Sequence, residues 1–205
     1  MSTWRAITSL GDSALLLPLI AWIAICLLWP SASRRDGVRW LFAAATCGGV
    51  VMLSKLLFMA WGIGPPGLDY TGFSGHTALA ILVWPSLAGV LTRDTPRPWR
   101  WAAAVIGACI GAAVALSRLA LKVHSPSEVW LGAMLGVVVA GWFLRGLART
   151  HGQASTRRLA VFVLGTLVIG LTCYGRVFPS QHVLQDIALW LSGHPNVFTR
   201  RMRLG

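Results

Sequence analysis

The chain has 205 residues, of which 56% are hydrophobic and 12% charged, about half the charge density of a soluble domain, and its mean hydropathy is +0.67. That balance excludes an ordinary soluble globular domain. The net charge of +12 would point a soluble protein towards nucleic acid. Here the arginines stand mainly in short loops between apolar runs, the habit of cytoplasmic loops in membrane proteins, so nucleic acid is not an expected partner.

Taken in order, Met1–Leu10 carries Trp4 and Arg5 and is too polar to span, so residues 1–12 are predicted to form an interfacial segment. Ala14–Trp29 is the first apolar run, closed by Pro30. The small residues Ser31-Ala32-Ser33 could be read as a signal cleavage site, but Arg34, Arg35 and Arg39 follow at once and mark a retained span. Trp40–Trp61 is the second span, and a Gly/Pro-rich loop, Gly62–Gly72, leads through F-S-G-H-T into the third, Gly75–Leu91. After a loop with Arg93, Arg97 and Arg100, Trp101–Leu116 forms a fourth span rich in Ala and Gly, a composition that permits close helix–helix approach. The polar stretch Ser117–Glu128 follows, then the fifth span Val129–Leu144, the basic loop 145–158 and the sixth span Leu159–Tyr174. Residues 179–205 make a basic tail with a predicted interfacial helix at Val183–Leu191 and arginines at 200, 201 and 203.

Each run has enough residues to cross a hydrocarbon core of about 30 Å at 1.5 Å per residue, with some thinning or snorkelling at its ends. The expected fold is an all-α integral membrane protein of about six transmembrane helices in one domain, 1–205. Cys26, Cys47, Cys109 and Cys173 lie in apolar runs without ligand or disulfide spacing and read as small buried hydrophobes. The arginines of the first, third and fifth loops place those loops in the cytoplasm, and both termini and the polar loops outside. The basic tail runs against this rule.

Charge inside apolar runs is where chemistry is sought. Lys55 sits about two turns inside the second span. It is either a snorkelling lysine or an anion ligand. Ser74-Gly75-His76-Thr77 opens the third span; Ser74 suits an N-cap, and the same helix start offers free N–H groups to an anion, with Gly75 permitting close approach. His76 can exchange a proton near neutral pH. In the polar stretch, Ser125-Pro126-Ser127-Glu128 is a helix start with a capping box, which leaves Arg118, Lys122 and His124 unexplained. If the helix begins early, His124 and Glu128 share a face, and the carboxylate can fix one imidazole tautomer, the arrangement of an activated nucleophile.

Lys55, then Phe73-Ser74-Gly75-His76, then Ser117-Arg118, five residues, His124, three residues and Glu128 resemble the type 2 phosphatidic acid phosphatase (PAP2) family pattern K-x6-R-P, P-S-G-H, S-R-x5-H-x3-D. The resemblance implies a PAP2-type helical bundle and a phosphohydrolase that uses neither metal nor cofactor. His124 would attack phosphorus to give a phosphohistidine, Glu128 would orient it, and His76 would protonate the leaving oxygen and then activate water. Lys55, Ser74, Gly75 and Arg118 would hold the phosphate oxygens. The implied substrate is a phosphorylated lipid or isoprenoid, taken from the bilayer on the periplasmic side of a bacterial inner membrane. A lipid phosphotransferase of the same family and a catalytically silent anionic-lipid binder are the alternatives. The pattern does not reveal the oligomeric state.

This chain departs from the pattern at three places. Gly62-Ile63 stands where the first motif has Arg-Pro, Glu128 replaces Asp, and Phe73 replaces the proline before S-G-H. The missing arginine removes a bidentate phosphate clamp. Lys122 and Arg176 are the candidates to replace it.

Overall fold

The computed structural model describes residues 2–149 and 155–200. They form eight α-helices and no strand: α1 Ser2–Ser9, α2 Ser13–Leu28, α3 Arg34–Trp61, α4 Gly75–Leu91, α5 Arg97–Ala120, α6 Pro126–Leu147, α7 Thr156–Cys173 and α8 Ser180–Ser192. Five helical stretches are long and apolar enough to cross a membrane (α1 and α2 counting as one), and α4 is a shorter apolar helix. This is the expected all-helical, multi-pass architecture. Arg201 and Arg203 of the predicted basic tail, and residues 150–154 of the basic loop, lie outside the described residues.

Helices α3, α5 and α6 run further than the apolar runs they contain. A helix stops at a cap, whereas an apolar run stops where the hydrocarbon does. Thus α3 begins at Arg34 and closes on Gly62 in the left-handed conformation, and α6 begins at a complete capping box built by Ser125 and Glu128. Large apolar side chains cover the outer surface, Val138 at 68% and Leu171 at 85% exposure among them. In water such a surface would aggregate; in a bilayer it meets lipid. Exposed Trp29, Trp99 and Trp101 lie at one end of the bundle and Trp61, Trp130 and Trp190 at the other, as interfacial tryptophans do.

The short helix α4 is the axis. It is apolar around its circumference and largely buried, and it packs most heavily on α5 and α6. Between membrane helices, close packing replaces the hydrophobic effect as the driving force, and small residues permit it. Both neighbours supply a G-x-x-x-G pair. A Cβ at Gly107 of α5 would stand 2.6 Å from the Pro85 backbone, and one at Gly111 2.9 Å from Ile81 Cα. On α6, a Cβ at Gly132 or Gly136 would stand 2.7 Å from the carbonyl oxygens of Ser74 and Ala78 respectively. The predicted small-residue span is therefore one of two glycine faces that grip α4.

At the basic end, Arg39 Nη1 lies 3.4 Å from Asp36 and Arg93 Nη2 lies 3.5 Å from it. Arg39 also donates to the Gly146 carbonyl at 3.4 Å, so the starts and ends of α3, α4 and α6 meet there. The predicted interfacial segment is a helix, but the bundle holds it: Trp84 Nε1 donates to the Leu10 carbonyl at 3.0 Å, and Tyr174 Oη to that of Ala6 at 3.1 Å. The cysteines are all free; Cys47 is buried, Cys26 and Cys173 are half-buried, and Cys109 is exposed, which corrects its assignment to the interior. Cys109 lies on the face of α5 turned away from α4.

Candidate functional site

At the opposite end, a cavity of about 1130 Å³ opens between the mouths of α2–α5 and the C-terminal segment. Lys55, Gly75, His76, Arg118, Lys122 and His124 all line it. The fold thus joins three stretches far apart in sequence: the last turns of α3, the start of α4, and the junction of α5 with α6.

Glu128 is fully buried beneath this cavity. Its Oε2 lies 2.7 Å from His124 Nδ1 and accepts the Ser125 amide at 3.1 Å. Its Oε1 accepts the Thr71 amide at 2.7 Å and the Thr71 hydroxyl at 2.6 Å. Arg200 Nη2 reaches both oxygens at 2.9 Å. A buried carboxylate stays charged only with such a set of donors. The capping box and the His124 contact are therefore two uses of one carboxylate. Helix α6 starts at Pro126, so His124 precedes it, and the pair does not share a helical face as the spacing predicts. Proline disfavours a helical conformation at the residue before it, and Glu128 instead reaches back over the cap.

Nδ1–H of His124 donating to Glu128 leaves the Nε2 lone pair free, a tautomer chosen by its partner. Burial pushes the His124 pKa below its ordinary value; Glu128 opposes this, and Lys55 and Arg118 reinforce it. The ring is thus held neutral near pH 7.

His76, at the second position of α4, faces a second carboxylate. Its Nε2 is 3.6 Å from Asp12 Oδ2, while Asp12 Oδ1 accepts the amides of Ala14 at 2.9 Å and Phe178 at 3.1 Å. Arg118 Nη1 donates to Thr8 Oγ1 at 2.8 Å, and its buried Nε has no acceptor among the described residues. Lys55 Nζ is 3.4 Å from Gln181 Oε1 of α8. The Gly72 backbone, at φ 126, lies against Lys55, where a Cβ would come within 2.6 Å of the lysine side chain.

Ser74 is the N-cap residue of α4, as the helix start predicts, but its side chain neither caps the helix nor lines the cavity. Ser74 is fully buried, and its hydroxyl pairs with Thr77 Oγ1 at 2.9 Å. Its amide donates to the Glu128 carbonyl at 3.1 Å, and α6 presses on its own carbonyl through Gly132, so Ser74 knits α4 to α6 behind the wall. The first amides of α4 are left uncapped towards the cavity, which suits an anion. Arg176 is exposed and does not line the cavity, because the left-handed Gly175 turns the chain outward after α7. Lys122 lines it from a residue with φ 54.

Sequence reasoning missed Asp12, Thr71 and Arg200. The signal for Asp12 was scarcity: the chain has six acidic residues, and one beside a polar–apolar boundary invites a partner. For Arg200 it was a basic tail on the side where basic residues are not expected. Thr71 carried none.

Residues 60–151 match the profile of the PAP2 superfamily; the stretch includes His76, Arg118, His124 and Glu128 and begins after Lys55. An "Uncharacterized 22.5 kDa protein in cps region" of Klebsiella pneumoniae is 36% identical over 201 residues, which covers 96% of this chain and 95% of that protein. No solved structure matches the chain.

Proposed function

Because this chain belongs to the PAP2 superfamily, whose members are generally phosphatases, we propose that it is a metal-independent phosphatase of lipid or isoprenoid phosphates. In this reading it works through a phosphohistidine, in a bacterial inner membrane, with its site on the periplasmic side. The observation that carries the reading is the His124–Glu128 contact of 2.7 Å beneath a cavity that Lys55, Arg118 and the start of α4 also line. Phosphoryl transfer asks for positioned cations and a positioned nucleophile more than for covalent chemistry from the protein, and this site offers both.

His124 Nε2 attacks phosphorus as the ester oxygen departs, and His76 gives that oxygen its proton. Glu128 stabilises the positive charge that develops on His124. A water molecule, deprotonated by His76, then attacks the phosphohistidine, releasing inorganic phosphate and restoring the free imidazole. Lys55 and Arg118 balance the charge of the phosphoryl oxygens throughout. The surrounding apolar walls, Leu17, Val51 and Leu79 among them, suit a substrate whose tail remains in lipid. Arginine density at the far end of the bundle supports the periplasmic placement of the site.

The test is phosphate release by purified protein in detergent from phosphatidic acid, phosphatidylglycerol phosphate and undecaprenyl pyrophosphate. Wild type is expected to release phosphate from at least one of them, with or without chelator, and His124→Ala to fall to background while still folded. Equal inertness of the two folded proteins across the panel would sink the hydrolase reading.

A further inference from the structure

The family pattern has an arginine where this chain has Gly62. Gly62 ends α3 at φ 67, a conformation that favours glycine, and the C-terminal segment lies directly on it. A Cβ at Gly62 would stand 3.1 Å from the Phe198 ring. The Phe198 amide donates to the Met59 carbonyl at 2.8 Å, and His194 Nδ1 lies 3.1 Å from the Ala60 carbonyl. Phe198 also packs, with α8, into a small apolar cluster around Leu56, Phe58 and Met59. The tail is thus moored to the last turn of α3, over the spot where the pattern's arginine would begin.

Two residues further on stands Arg200. Its guanidinium lines the same cavity as Lys55, Arg118 and His124. It binds both oxygens of Glu128 at 2.9 Å and Asp69 at 3.1 Å. Glu128 already has donors in Thr71, Ser125 and His124, so it is hydrogen-bonded without Arg200. The Asp69 carboxylate is 41% exposed, and a solvated pair of this kind holds an arginine only weakly. The arrangement holds a planar, permanently charged guanidinium at the cavity wall in the absence of anion, where an oxyanion can take over the donor now given to Asp69.

We propose that Arg200 is an oxyanion-binding residue of this site, brought from the far end of the chain in place of the arginine missing at position 62, and that glycine at 62 is what lets the tail dock. The proposal rests on the phosphate-site reading above. It assigns the basic tail a place inside the site.

The experiment is calorimetric titration of the full-length protein in detergent with inorganic phosphate and with orthovanadate. Arg200→Ala is expected to bind both about 10- to 100-fold more weakly, the worth of a charge-assisted hydrogen-bond pair, with an unchanged unfolding midpoint. Arg200→Lys is expected to recover part of the loss, and millimolar methylguanidinium to restore binding to Arg200→Ala, which a purely structural arginine would not allow. Phe198→Ala and Gly62→Val keep the guanidinium but loosen its mooring; both are expected to weaken binding, and they carry the test if Arg200→Ala does not fold. Unchanged affinity in folded Arg200→Ala, no response to methylguanidinium, or no oxyanion binding by wild type overturns the proposal. Phosphate release separates the two readings. A wild type that hydrolyses while Arg200→Ala hydrolyses and binds equally well defeats this inference alone. A wild type that binds through Arg200 but hydrolyses nothing defeats the hydrolase reading alone.

Discussion

Glu128 shows how much one residue can be asked to do. Its backbone amide and carboxylate close the capping box of α6, and the same carboxylate sets the His124 tautomer and receives Thr71 and Arg200. Glu128→Gln keeps the size and the acceptor oxygen but removes the charge, and it can present its NH₂ to the imidazole. The expected result is a fall in kcat of about 10²- to 10⁴-fold, as for a triad carboxylate turned to amide. Burial holds His124 below its ordinary pKa, and in the proposed mechanism the neutral ring is the nucleophile. Activity should therefore be lost as pH falls, along an acid limb lying below about 6.5, the ordinary imidazole value. Glu128 raises that pKa against the burial, so the limb should move further towards acid in Glu128→Gln. A kcat/KM profile, with the substrate's own phosphate titrated separately, checks both. A limb that stayed in place in the variant would mean that the carboxylate does not govern the imidazole.

The elements position the site through α4. The helix start that carries Gly75 and His76 is located by α5 and α6, whose glycine pairs let backbones touch. Gly132→Val would force its side chain against the Ser74 carbonyl, 2.7 Å from the first added carbon. Overpacking of this kind costs about 1–3 kcal/mol, read as a lower unfolding midpoint in detergent together with reduced phosphate release, since Ser74 and Glu128 are joined through their backbones. Gly170 of α7 meets nothing within 4 Å, so Gly170→Ala is expected to be neutral or to stabilise by about 0.5–1 kcal/mol. Equal effects at the two positions would show that the glycine face on α6 is not a packing contact. The sequence composition announced small residues on α5; the matching face on α6 became visible only with α4 between them.

For the whole molecule, the two ends differ in kind. One holds the buried Asp36 between Arg39 and Arg93; the other holds the cavity that His76 and His124 line. The proposed orientation predicts that, in a cysteine-free background, Leu68→Cys reacts with an impermeant maleimide added to intact spheroplasts and Arg97→Cys reacts only after lysis. The reverse pattern would turn the site to the cytoplasm. The apolar belt between the ends, with residues such as Val138 and Leu171 exposed, is where lipid must lie for this fold to be stable in water-bounded surroundings.

The amino-acid sequence by itself determined the helical, multi-pass class, the approximate spans and the S-R-x5-H-x3-E and S-G-H clusters. Hydrophobic run length and local spacing are one-dimensional quantities, and the bilayer leaves the backbone few other choices. It also pointed to Lys55, His76, Arg118 and His124, because charge in an apolar run is costly and conspicuous. Only the tertiary structure decided that Ser74 faces inward to Thr77, that Arg176 faces outward, and that Asp12 stands opposite His76. It alone brought Arg200 to Glu128, across 72 positions of sequence. Those outcomes depend on which surfaces pack together, and a residue's neighbours across helices leave no periodic trace along the chain.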